Sequence, residues 1–212
     1  PQAIAFNGNG EKMFVLHNRT PNNNFDRVEE YDLGTGFDIS ASSFGSKQEH
    51  KIISGQETAP RGFAFNNNGT KMFVVGATGR DVNEYTIDVG FDLSSTITFI
   101  DSKDISGQDT DPQGIAFNDD GTKMFVVGNA GDDVNEYTLT TGFDVSSASF
   151  VDSFQIDDDQ DDTPRGIAFN NDGTKMFVVG DDDNDINEYT LSTAFDVSSA
   201  SFVDGNGDGT GF

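Results

Sequence analysis

Short apolar runs recur along this chain, each followed by a cluster of turn-forming residues. In one stretch Gly114–Asn118 (GIAFN) is a brief apolar run, and Asn118-Asp-Asp-Gly-Thr122 is strong turn chemistry. Lys123–Gly128 (KMFVVG) follows and is almost wholly apolar. Two such runs around an Asp-Gly predict a β-hairpin, with Gly121 supplying the positive φ of the turn. Asp133–Leu139 (DVNEYTL) predicts a third strand. Phe143-Asp-Val-Ser-Ser marks a bend, and Ser149–Ile156 (SFVDSFQI) predicts a fourth strand that alternates Phe150, Phe154 and Ile156 with shorter residues. KMFVVG has no polar alternation, so both of its faces are expected to be covered, whereas the alternating fourth strand is expected to be half covered. No 3.6-residue stripe persists between the Gly and Asp-Gly breaks, so helices are not expected.

The same pattern returns at a fixed interval. Pro112–Gly128 (PQGIAFNDDGTKMFVVG) recurs as PRGIAFNNDGTKMFVVG from Pro164, as PRGFAFNNNGTKMFVVG from Pro60 and, in worn form, from Pro1. Pro60 to Pro112 is 52 residues, and Pro112 to Pro164 is again 52. Four short strands per ~50 residues is the blade of a β-propeller. The expected fold is all-β, a propeller of four four-stranded antiparallel blades forming a closed ring or an arc completed by another chain. A parallel β-solenoid is the rival, but its rungs are usually shorter than this period. One domain over 1–212 is expected, with repeats 1–59, 60–111, 112–163 and 164–212. All four Met (Met13, Met72, Met124, Met176) hold one repeat position and all four Tyr (Tyr31, Tyr85, Tyr137, Tyr189) another, so both sets are expected in the core.

Repeat one departs from the others. Met13 to Tyr31 is 18 steps against 13 from Met124 to Tyr137, which places five extra residues within His17–Arg27. Two more fall around Lys47–Lys51, and His17 and His50, the two histidines of the chain, lie in or beside these insertions. Repeat four departs at its end, where GNGDGTGF stands in place of SFQI. Pro1 falls at the phase of the later prolines, which suggests a processed chain or a piece of a longer one.

Charge narrows the partners. Asp and Glu number 37 against 12 Lys and Arg, a formal net charge of −25. Nucleic acid binding needs a basic footprint, so it is not expected; anionic membrane surfaces are equally disfavoured. No apolar run approaches the ~20 residues that span a bilayer, so membrane insertion is not expected. The 20 Phe, in phase with the repeat, argue against the disorder that such acidity would otherwise suggest. Cys is absent, which excludes disulfides and thiol chemistry.

The phrase P-x-G-I-A-F-x-x-D-G-T-K-M-F-V-V-G followed by D-V-N-E-Y resembles β-propeller repeats of the YVTN and lactonase-like kind, as found in bacterial secreted proteins and phage structural proteins. The resemblance covers all four repeats. It implies a propeller outside the cytoplasm, secreted or on a particle surface. It is specific for fold and says little of function, because one propeller scaffold hosts enzymes, adhesins and docking platforms. Catalytic members of such families use inward-facing Glu, Asp, Asn or His near the channel mouth. The inner strand here is GIAFN in repeats three and four, and no such set carries over.

Candidate chemistry is concentrated in oxygen ligands. Asp204-Gly-Asn206-Gly-Asp208-Gly209-Thr210 matches the first half of an EF-hand loop, with Asp204, Asn206 and Asp208 at alternate positions and Thr210 offering a carbonyl. A structural calcium is the expected cofactor there, although the bidentate Glu of such loops is missing. Asp157, Asp158, Asp159, Asp161 and Asp162 precede repeat four, while Asp181, Asp182, Asp183 and Asp185 follow its second strand. In a propeller these loops emerge on one face, so with Asp132 and Asp133 they are expected to gather into an acidic binding face; a solvated loop surface is the plain alternative. Glu30, Glu84, Glu136 and Glu188 recur in phase and are expected to bond between neighbouring blades, since buried polar groups need partners. Asn18 and Asn68 begin N-glycosylation sequons. No Cys–His or Ser–His–Asp constellation and no phosphate loop appears.

Repeats three and four share 32 of 41 positions from Pro112–Asp152 against Pro164–Asp204. Such uniformity suits an array in which each unit does the same job. The expected function is therefore a non-catalytic extracellular structural or adhesive propeller. It is expected to self-associate as a homo-oligomer, ring or filament and to meet a glycan or cell-surface ligand. A calcium-dependent lactonase-like or carbohydrate-active hydrolase is the enzymatic alternative, and a viral tail or receptor-binding module the third.

Overall fold

In the computed structural model, which describes residues 1–18, 26–40, 44–156, 161–181 and 185–205, the third repeat folds as its pattern predicts. Strand β9 (Pro112–Phe117) pairs antiparallel with β10 (Lys123–Gly128), Phe117 opposite Met124. The turn between them is closed by side chains as well as backbone. Gly121 N–H donates to the Asn118 carbonyl, Asn118 Oδ1 accepts from Lys123 N–H, and Asp120 Oδ1 accepts from Thr122 N–H. Gly121 has φ +69°, the left-handed conformation that glycine takes at least strain.

β11 (Asp133–Leu139) and β12 (Ala148–Gln155) complete a four-stranded antiparallel sheet in the order β12-β11-β10-β9. The other repeats build the same sheet. The first uses β1 (Ala3–Phe6), β2 (Lys12–His17), β3 (Arg27–Leu33) and β4 (Phe44–Ile52). The second uses β5 (Pro60–Phe65), β6 (Lys71–Gly76), β7 (Asp81–Ile87) and β8 (Ile97–Asp104). The fourth uses β13 (Pro164–Phe169), β14 (Lys175–Gly180), β15 (Ile186–Leu191) and β16 (Ala200–Gly205). The protein is thus all-β, four blades of a β-propeller. Among the described residues helix is confined to two 3-10 turns, Val145–Ser147 and Val197–Ser199, and no helix is long and apolar enough to cross a membrane.

The chain divides into two compact units, Pro1–Ser102 and Lys103–Phe212. In the first unit, blade 1 turns Phe14, Leu16 and Val28 against Met72, Val74 and Tyr85 of blade 2. In the second, blade 3 turns Phe125, Val127 and Val134 against Met176, Val178 and Tyr189 of blade 4. The continuous apolar strand therefore splits by parity. Phe14 and Leu16 of blade 1, like Phe125 and Val127 of blade 3, face the next blade of their unit, while Met72 and Val74 of blade 2, like Met176 and Val178 of blade 4, face the previous one. All four Met are buried.

The outer strands are more exposed than half. β8 and β12 are open to solvent along most of their length, and Phe150 is 44% exposed although its ring meets Tyr137 edge-on at 5.8 Å. The β11–β12 ladder shifts register between Glu136 and Tyr137, a bulge of the kind that increases local twist.

Candidate functional site

The repeat that departs in length also departs in chemistry. In blades 2 to 4 the third strand carries an Asp and an Asn two residues apart, and the amide donates to the carboxylate. Asn83 Nδ2 lies 2.7 Å from Asp81 Oδ1, Asn135 Nδ2 2.6 Å from Asp133 Oδ1, and Asn187 Nδ2 3.0 Å from Asp185 Oδ1. Blade 1 places Arg27 and Glu29 at these positions. Strand periodicity puts Arg27, Glu29 and Tyr31 on one face of β3. The β2–β3 register sets His17 opposite Arg27, where the other blades have Gly76, Gly128 and Gly180. His17, Arg27, Glu29 and Tyr31 thus meet across the β2–β3 hairpin that carries the insertion.

Both oxygens of Glu29 are engaged twice. Arg27 Nε donates to Oε1 at 2.7 Å and Arg27 Nη2 lies 2.5 Å from the same oxygen. Tyr31 O–H donates to Oε2 at 2.7 Å, and His17 Nε2 stands 2.9 Å from it. The Glu29 side chain is 5% exposed and those of His17 and Arg27 12% and 13%. Burial works to raise the Glu29 pKa, but the hydrogen bonds from Tyr31 and Arg27, with the charges of His17 and Arg27, outweigh it and bring it down to about 2. Glu29 is therefore a permanent anion at physiological pH. It is too weak a base to take a proton from water, and well suited to fix the tautomer and orientation of His17.

The second charged cluster belongs to blade 3. Asp109, in the loop before β9, reaches the β10–β11 hairpin, where Gly131 N–H donates to its Oδ2 at 3.2 Å and Asp111 N–H to its Oδ1 at 2.5 Å. Glu57 does the same in blade 2, accepting from Gly79 N–H at 3.0 Å and Ala59 N–H at 2.6 Å. These contacts bring the loop that precedes each of blades 2 and 3 against that blade's own second-to-third-strand loop. Burial, and then the negative charges of Asp109 and Asp132, raise the Asp133 pKa to about 6 against the lowering hydrogen bond from Asn135. Asp161 is buried beside Gly180, Asp185 is buried on Asn187, Asp162 is exposed, and Asp181 is exposed and paired with Arg165 at 3.3 Å. Several of these carboxylates hold loops closed with their oxygens.

Asp157, Asp158, Asp159, Asp182 and Asp183 lie outside the described residues, as do Asn206, Asp208 and Thr210 of the calcium motif; Asp204 pairs with Glu188 across β15 and β16. Among the described residues no group of three or more His, Cys, Asp or Glu is disposed to hold a metal ion. Asn18 is half-buried. Asn68 is exposed, its Oδ1 accepting from Thr70 N–H and O–H. Two of the four in-phase glutamates bond between blades: Glu30 Oε2 accepts from Leu93 N–H at 2.7 Å, and Glu136 Oε2 from Val197 N–H at 3.0 Å. Sequence reasoning noticed that His17 flanks an insertion but did not join it to Glu29, because that contact depends on cross-strand register. The signal available was Arg-Val-Glu-Glu in place of Asp-Val-Asn-Glu.

A family model described as lactonase, seven-bladed β-propeller, matches residues 18–195. No curated protein matches the chain. Among solved structures, a protein of unknown function from Desulfotomaculum acetoxidans is 16% identical with a TM-score of 0.63, covering 97% of this chain and 56% of its own. A protein from Bacteroides fragilis proposed to be a 6-phosphogluconolactonase is 15% identical with a TM-score of 0.60, covering 96% and 52%. The periplasmic gluconolactonase of Pseudomonas aeruginosa is 12% identical with a TM-score of 0.57, covering 99% and 57%. At these identities the likeness is one of fold, and the chain spans about half the length of the structures it matches. The family match overturns the expectation of a non-catalytic structural or adhesive module and favours the enzymatic alternative. Uniformity between repeats three and four describes the scaffold. Asymmetry of the kind a catalyst needs is found in repeat one.

Proposed function

Because the chain belongs to the lactonase family of seven-bladed β-propellers, we propose that it serves a lactonase-like hydrolase that opens a sugar lactone. The observation that carries this reading is the buried His17–Glu29 pair with Arg27 and Tyr31 around it. The choice of a sugar lactone follows the gluconolactonase from Pseudomonas aeruginosa that shares the fold.

Glu29, ionised and 2.9 Å away, favours the proton on Nε2 of His17, which leaves the lone pair on Nδ1. Nδ1 takes a proton from water as the water oxygen bonds to the lactone carbonyl carbon, and the imidazolium is stabilised by Glu29. When the tetrahedral intermediate collapses, the ring C–O bond breaks and His17 returns the proton to the leaving alkoxide, giving the open hydroxy acid. Arg27 spends two of its five N–H donors on Glu29, and the guanidinium charge favours the oxyanion that develops on the carbonyl oxygen. Tyr31 holds the second Glu29 oxygen in place.

Acid release from a six-membered aldonolactone, followed in a pH-stat with the full chain, tests the proposal. Catalysed hydrolysis is expected to exceed the spontaneous rate in proportion to protein concentration. Replacing Arg27 with Gln is expected to lower it by about 10²-fold, the usual loss when an oxyanion donor is removed. A rate equal to the spontaneous one at every protein concentration overturns the reading.

A further inference from the structure

One position of the blade turn changes residue type between repeats without changing its bonds. In the β5–β6 turn of blade 2 it is Asn68, followed by Gly69, and in blades 3 and 4 it is Asp120 and Asp172. Thr70 N–H donates to Asn68 Oδ1 at 3.1 Å, and the Thr70 hydroxyl donates to the same oxygen at 2.6 Å. Thr122 and Thr174 do the same to Oδ1 of Asp120 and Asp172, their N–H groups at 2.9 Å and 3.1 Å and their hydroxyls beside them. The turn therefore accommodates an aspartate at this position as it stands.

The bonds that hold Asn68 also dispose it to react. The ring closed by the Thr70 N–H bond folds the carboxamide carbon back toward the Gly69 nitrogen, which lies between the two residues. Gly69 has no Cβ to crowd an approach. Two donors on Oδ1 polarise the carbonyl and stand where negative charge develops when a nucleophile adds to it. Asn68 is exposed, and its amide nitrogen, the leaving group, makes no hydrogen bond among the described residues. The other Asn-Gly pairs among the described residues lack this combination. Asn9 Oδ1 accepts from Glu11 N–H at 3.1 Å with no hydroxyl beside it, and Asn9 Nδ2 is held by Glu11 Oε2 at 2.8 Å. Asn7 Oδ1 accepts from Lys12 N–H at 3.0 Å, which ties its carboxamide across the turn.

We propose that Asn68 is a self-modifying site, which deamidates to aspartate in the folded chain with water as co-reactant. The Gly69 nitrogen bonds to Cγ of Asn68 and gives up its proton. The Cγ–Nδ2 bond breaks, and Nδ2 takes up a proton and leaves as ammonia. Water then opens the cyclic imide. Addition at Cγ restores the peptide bond and leaves an aspartate side chain, whereas addition at the backbone carbonyl routes the chain through the side chain as isoaspartate. Gly69 N–H donates to the Asn66 carbonyl at 3.0 Å, so this bond has to open before the nitrogen attacks. Conversion erases the Asn68-Gly-Thr70 sequon and adds one negative charge to the formal −25.

Peptide mass mapping of the full chain, aged in mildly alkaline buffer, reads the change at each asparagine. Conversion at Asn68 is expected to outpace that at Asn9 by about 10-fold in the folded chain, and the gap to close in denaturant, where a glycine follows both and neither side chain is held. Thr70→Val removes the hydroxyl donor and is expected to slow conversion at Asn68 by about 10-fold, the worth of one hydrogen bond to the developing oxyanion. The same variant loses the bond from Asn66 Nδ2 to Thr70 Oγ1 at 3.2 Å, so a rate governed by looseness of the turn would rise instead. Three results overturn the proposal: equal rates at Asn9 and Asn68 in the folded chain, an Asn68 still intact when the denatured chain has converted, or faster conversion in Thr70→Val. None of these readouts involves lactone hydrolysis, so the site stands or falls separately from the catalytic reading.

Discussion

Glu29 sits at the centre of a four-residue contact, and its energetics can be read by acid. Its carboxyl titrates at about 2 in the fold and near the ordinary 4.5 when unfolded. A folded pKa below the unfolded one contributes stability that is present above pH 4.5 and is lost as pH falls through about 2. Acid denaturation curves of Glu29→Gln are expected to lack that part of the slope. At neutral pH the variant is expected to be less stable by about 1–3 kcal/mol, because Arg27 loses its counter-charge. Asp133 behaves in the opposite sense. Its pKa is raised to about 6, so its ionised form strains the fold: the group's contribution is most favourable below pH 3.8 and is lost as pH rises through about 6. Asp133→Asn is expected to raise stability at pH 7 by on the order of 1 kcal/mol, with the gain gone below pH 4. Thermal melts at the two pH values check both statements.

At the scale of the element, the blade was readable because its signals are local. Asn118-Asp-Asp-Gly-Thr122 fixes a hairpin through side-chain bonds inside the turn itself, and KMFVVG reports two covered faces by lacking any polar alternation. The bend at Phe143 was legible only as a break. In the structure Phe143 has φ 58°, a left-handed conformation unusual for a bulky residue, and its ring lies against Gly121. Phe37, Phe91 and Phe195 repeat the arrangement over Gly10, Gly69 and Gly173. Propensity cannot anticipate this, because the backbone strain is offset by a tertiary contact. Gly121→Ala would push a Cβ into the Phe143 ring while forcing alanine to φ +69°, and a loss of about 2 kcal/mol or more is expected in denaturant melts. Phe125 meets Phe169 at 4.4 Å and Phe195 at 6.3 Å across the blade contact. Truncating it to Ala is expected to remove about 3–5 kcal/mol. The His17–Glu29 contact was beyond sequence reading for a related reason. It joins residues on two strands across an insertion, so its only trace was a change of residue type at three repeat positions, His17, Arg27 and Glu29.

For the whole molecule, charge and repetition pull in different directions. Fifty-two-residue copies supply one apolar contact surface after another, while 37 acidic residues against 12 basic ones make the folded chain repel itself. Unfolding midpoints are expected to rise as salt is added from about 10 mM to about 150 mM, over which the screening length falls from about 30 Å to about 8 Å. The scaffold explains why four blades look alike; family membership and the departure in blade 1 explain why they need not act alike. The most direct test of that account compares lactone hydrolysis by the wild-type chain with that of His17→Gln and His50→Gln. Activity in the wild type, its loss by 10²-fold or more in His17→Gln and its retention in His50→Gln are predicted, about the size of a general base's contribution. Equal activity in all three proteins would show that the buried His17–Glu29 pair is not the catalytic centre.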